Sequence, residues 1–184
     1  MSRIAVPDID RATGRTAELY GQIKAAIGSV PNAFAVMGAH GPAALRTMLA
    51  ADTVLSTGTL TKRDRETIKL VVSSIAGSDY CVAAHNLLGT LAGLTPEALQ
   101  QIRDGSPTGD LRRDALVRFV RTIAKKRGTI SEQEFVAIKS AGYTDAQLVD
   151  ISLAFALAVF TNVFNRINDT AIDFPAIEER DLVH

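Results

Sequence analysis

Apolar residues return every three or four positions along most of this chain, and polar residues between them fall at capping positions. Ala17, Tyr20, Ile23 and Ile27 mark one helical face over residues 10–27, interrupted by Gly28 and Ser29. Pro31 and Asn32 are good starting residues for a second helix, which runs to the turn at His40, Gly41 and Pro42. Leu45, Met48, Leu49 and Leu55 carry the period on from Pro42, and Gly58 ends it. Thr61, with Asp64 three residues on, opens a helix through Ile68, Leu70, Val71, Val72 and Ile75 to Gly77. The next begins near Ser78 and stops near Gly93. Thr95, Pro96 and Gly105 bracket a short helix, and Asp110–Arg127 carries a strong apolar stripe. Ser131 with Glu134, then Thr144 with Gln147, have capping-box spacing; the second opens a long helix to about Asn168. The tail from Phe174 to His184 reads as peripheral. LVVSSI looks strand-like in isolation, but a cap precedes it and no strand–turn–strand pattern follows. The pattern predicts an all-α fold: one domain over residues 1–184, a bundle whose long helices pack antiparallel through short turns.

Composition narrows the function classes. Of 184 residues, 47% are hydrophobic and 22% charged, a globular balance rather than a disordered one. Twenty basic and 20 acidic side chains give zero formal charge, which argues against nucleic acid as a partner. The densest basic run, Lys125, Lys126 and Arg127, falls at a helix end, where it suits the helix dipole. A single cysteine forms no internal disulfide. The N-terminus lacks a signal-type apolar core, and the apolar stretch from Ile151 to Phe164 is shorter than a bilayer span and reads as a buried helix. These features set the expectation of a cytoplasmic protein without a membrane partner.

The chemistry concentrates in SDYCVAAHNLLG, Ser78–Gly89. With Ser78 as N-cap, Cys81 lies in the first helical turn, where unpaired N–H groups favour a thiolate while Asp79 opposes it. His85 projects from the same face one turn on and suits a general base. Glu66, on the preceding helix, is the best candidate to orient that base. The competing reading makes Cys81 a buried small residue. A weaker one makes Cys81, His85 and Glu66 three zinc ligands, but without CxxC or HxxxH no metal and no cofactor is expected. Around this centre, Tyr80 is either a wall residue or a donor to substrate. His40 is either an exposed turn residue or a visitor to the pocket. Asn162 and Arg166 share a face by i,i+4 spacing, suited to an acidic substrate or to capping and interface contacts.

Glu66, a gap of eleven residues, then Ser78-x-x-Cys81-x-x-x-His85 resembles the core signature of the carboxymuconolactone decarboxylase superfamily, in its alkylhydroperoxidase D-like, peroxidase-related branch. VPNAFAVMGAHGPAAL and AGYTDAQLVDISLAFALAVFTNVFNR extend the resemblance over roughly residues 30–166. The resemblance implies an all-helical fold that assembles as trimers or hexamers, with sites near subunit interfaces. It implies hydroperoxide reduction, with Cys81 as the peroxidatic cysteine, His85 as its activator and Glu66 as the relay carboxylate. Two positions depart: Ser78 stands where the resolving cysteine belongs, and Tyr80 where a second relay histidine does. Ser78 is no redox partner, so turnover would require an external thiol or reductase. The other expectations are decarboxylase- or isomerase-like acid–base chemistry through Glu66 and His85, with Arg166 or His40 holding a carboxylate, and a non-catalytic thiol sensor or binding protein.

Overall fold

The computed structural model describes residues 2–174. Among them lie nine α-helices and no strand: α1 Gly14–Ile27, α2 Asn32–His40, α3 Pro42–Ser56, α4 Lys62–Ala76, α5 Asp79–Leu91, α6 Pro96–Asp104, α7 Leu111–Lys125, α8 Glu132–Ser140 and α9 Asp145–Asn168. The all-α bundle expected from the periodicity is the fold. Thr61, Ser131 and Thr144 form complete capping boxes with Asp64, Glu134 and Gln147, so three helix starts are set by local side-chain chemistry. Gly77 ends α4 at φ 62°, a left-handed conformation that favours glycine and turns the chain directly into α5. The first helix starts later than its periodicity suggests. Asp8 caps a single 3-10 turn at Ile9–Arg11, and Ala12 and Thr13 are extended before α1.

Helix α4 is the hub. It packs on α5, α7 and α9, which explains the strand-like run: Ile68, Leu70 and Val71 are fully buried on different sides of one helix. They join Leu116, Val120 and Ile151 in the larger apolar cluster. Each such side chain contributes roughly 1.5–3 kcal/mol by leaving water. A second cluster, from α1, α2, α3 and α5, includes Tyr20, Ile23, Leu45, Met48, Tyr80 and Cys81. Leu157 of α9 packs against both.

Two expectations are corrected here. Helix α9 is not simply a buried helix. By length and composition it could cross a membrane, with a window of mean hydropathy 1.7, yet only 22% of that window is buried. Its inward face carries Ile151, Ala154, Ala158, Asn162, Asn165 and Asn168, while Val149, Val159, Phe160, Val163 and Ile167 are exposed. Nor is the start of the tail peripheral. Phe174 packs edge-on against Tyr80 with ring centroids 5.2 Å apart, and Asp173 accepts the Asn32 backbone N–H at 2.7 Å. The rest of the tail, residues 175–184, lies outside the described residues.

Candidate active site

The turn at Gly77 brings α5 back against α4, and that packing assembles the centre. Ser78 occupies the N-cap position of α5, so Cys81 stands in the first turn as the spacing implied. Nδ1 of His85 lies 2.9 Å from Oε2 of Glu66, joining the two helices through a largely buried pair. Burial pushes the Glu66 carboxyl up. The hydrogen bond and charge of His85, with Lys69 and Arg65 nearby, outweigh that and hold it below its ordinary value. An ionised Glu66 accepts from Nδ1, which turns Nε2 away from the carboxylate.

Cys81 and His85 both border a cavity of about 960 Å³. Its walls are mostly apolar, with Ile23, Phe34, Met48, Leu88, Leu157 and Phe174 prominent. Cys81 is 3% exposed and belongs to the second apolar cluster, so it borders this space rather than the outer surface. Nδ2 of Asn165 donates to the Cys81 sulfur at 3.2 Å. No hydrogen bond joins His85 to Cys81 among the described residues.

The remaining candidates separate. Ser78 is buried, but its hydroxyl has no hydrogen-bond partner among the described residues, so it does not cap through its side chain as expected. Tyr80 is a wall residue: its hydroxyl accepts the Ala33 N–H at 3.2 Å. Burial pushes its phenol up; the Ala33 N–H opposes this and the charge of Asp173 adds to it. His40 is exposed at the end of α2 and does not line the cavity. Asn162 donates to Ser73 Oγ at 3.2 Å and to the Ala158 carbonyl, and Arg166 donates to the Ala76 carbonyl at the end of α4. The i,i+4 pair thus ties α9 to α4 and does not form an acid-binding site on the cavity. Helix α4 instead supplies Lys62, Arg65 and Lys69 to the lining, with Lys69 paired to Asp52 at 2.6 Å. Cys81, His85 and Glu66 do not converge as metal ligands, and no group of three or more metal-binding side chains occurs among the described residues.

Residues 42–106, which contain Glu66, Cys81 and His85, match the carboxymuconolactone decarboxylase family. Comparison with curated proteins gives no match. The fold is shared with an uncharacterised peroxidase-related protein from Ralstonia eutropha described as an alkylhydroperoxidase AhpD core. That likeness has a TM-score of 0.81 at 24% identity, covering 94% of this chain and 92% of that one. A peroxidase-related protein from a Silicibacter species gives 0.78 at 23% identity, covering 92% and 91%. A cysteine-to-alanine variant of the debrominase Bmp8, in complex with 2,3,4-tribromopyrrole, gives 0.76 at 16% identity, covering 99% and 98%.

Proposed function

We take the chain as a member of the carboxymuconolactone decarboxylase superfamily with an AhpD-like fold, and propose that it reduces organic hydroperoxides through Cys81. The observation that carries this reading is the Glu66–His85 pair, which brings a base to the cavity that Cys81 also borders. His85 takes the thiol proton through a water in that cavity. The thiolate attacks the outer peroxide oxygen, the O–O bond breaks, and sulfur is oxidised by two electrons to sulfenic acid. The leaving alkoxide takes a proton from His85. Two equivalents of an external thiol then return the sulfenic acid to thiol, giving a disulfide and water. Ser78 cannot replace either equivalent. The size and apolar lining of the cavity favour peroxides with a bulky hydrocarbon group over hydrogen peroxide.

The decarboxylase-like reading loses its named carboxylate holders, because Arg166 is engaged with α4 and His40 lies away from the cavity. The apolar cavity supports a second use of the same sulfur by analogy with the debrominase fold. The thiolate takes bromine from an aromatic ring, the C–Br bond breaks as S–Br forms, and the ring carbon gains a proton. Two equivalents of external thiol return the sulfenyl bromide to thiol, with release of bromide and a disulfide. We also propose that the chain functions as a homo-oligomer through the exposed apolar face of α9.

The experiment is consumption of cumene hydroperoxide with excess dithiothreitol. The wild type is expected to turn over and Cys81→Ser to fall to the uncatalysed rate with unchanged helical content. Equal rates in the two proteins would remove the peroxidase reading. Halide release from a bromopyrrole, with no peroxide consumption, would favour the second use.

A further inference from the structure

A chain of buried polar groups ends on the Cys81 sulfur, and its direction follows from one donor whose identity is beyond choice. The backbone N–H of Ile4 lies 2.8 Å from Asn168 Oδ1. A backbone N–H only donates, so the oxygen of the Asn168 amide must face it and the nitrogen must face the other way. That nitrogen donates to Thr170 Oγ1 at 2.9 Å. The hydroxyl proton of Thr170 is then free to go to Asn165 Oδ1, 2.8 Å away. With its oxygen committed, Asn165 turns its NH₂ group to the sulfur, at 3.2 Å. Asn165, Asn168 and Thr170 are all buried, so water does not compete for these positions. The Asn165 carbonyl also accepts the Thr170 N–H, which locks the two residues together.

We propose that this chain makes Asn165 a fixed amide donor to Cys81, and that Thr170 and Asn168 are positioning residues for thiolate formation. A thiol sulfur is a weak acceptor and a thiolate a strong one, so a donor that cannot flip favours the ionised form. The donor acts beside His85 and independently of it. Ionisable groups lining the same cavity are Lys62, Arg65, Glu66 and Lys69 from α4, Tyr80 and His85 from α5, Asp52 from α3 and Asp173. None is a member of the chain, so the chain adds a donor without adding a charge. It also ties thiol acidity to the segment around Ile4 and to the turn after α9.

The test is iodoacetamide alkylation of Cys81 across pH, with no peroxide present. Thr170→Val removes the hydroxyl link without touching the sulfur. It is expected to displace the rate–pH profile to higher pH, slowing alkylation about tenfold near neutrality while leaving the alkaline plateau unchanged. Thr170→Ser keeps the link and is expected to follow the wild type. Asn165→Leu cannot donate to sulfur and adds no charge beside it, and is expected to be slower than the wild type. Wild-type profiles in natively helical Thr170→Val and Asn165→Leu would overturn the proposal. If Thr170→Val does not fold, Asn165→Leu against Thr170→Ser decides alone. The inference rests on the thiol reading of the site but not on peroxide as substrate. Displaced profiles in a protein that consumes no peroxide would uphold the chain and remove the peroxidase reading. Undisplaced profiles in an active peroxidase would do the reverse.

Discussion

Each residue at the centre has a role set by what surrounds it. Tyr80 illustrates this. Its ring forms a wall with Phe174, and its hydroxyl meets the Ala33 N–H, one of the donors that the first turn of α2 leaves unpaired. Tyr80→Phe should therefore cost about 1–3 kcal/mol in urea unfolding, because the buried donor loses its acceptor. An unchanged unfolding free energy would contradict that role. Cys81 and His85 could be paired in the sequence because one helical turn separates them, and Glu66 through its chemistry on the preceding helix and its place in the resembled motif; α4 and α5 bring the three to one cavity. Asn165 was harder to read. It lies on the inward period of Ile151, Ala154, Ala158 and Asn162, and a buried amide on an apolar helix needs a partner. That partner, the sulfur, is 84 positions away in sequence, a separation that periodicity does not span.

At the scale of elements, the helix starts were legible where a cap is local. Thr61, Ser131 and Thr144 need only a residue three positions on. The errors fall where tertiary contacts decide. Arg166 was placed correctly on α9 but turns to the last carbonyls of α4 instead of the cavity. The segment Thr170–Phe174 has no period to read, and it gains its place by hydrogen bonds to Asn165, Asn32 and Ser2. The hydropathy of α9 alone could not say which side faces inward, because the buried side holds asparagines and the exposed side holds the larger apolar residues.

At the scale of the whole molecule, that inversion is the main unbalanced feature. Val159, Phe160, Val163 and Ile167 form an exposed strip along the second half of α9. Its opposite face is committed to α3 and α4, and residues on that face hold the polar chain to Cys81. In the proposed assembly a second copy of the chain would cover this strip without disturbing the buried side. Phe160→Glu with Val163→Glu should convert the oligomer to monomer in sedimentation velocity while keeping native helical content. A wild type that sediments as a monomer at high concentration would contradict the proposed assembly.

The measurement that bears most directly on the central claim is the alkylation rate of Cys81 against pH in the wild type and in Glu66→Gln. The account predicts a reactive thiol whose profile moves to higher pH in the variant, with alkylation slowed tenfold or more near neutrality, because His85 loses the carboxylate that orients it. An unreactive wild-type thiol, or superimposable profiles in the two proteins, would contradict it.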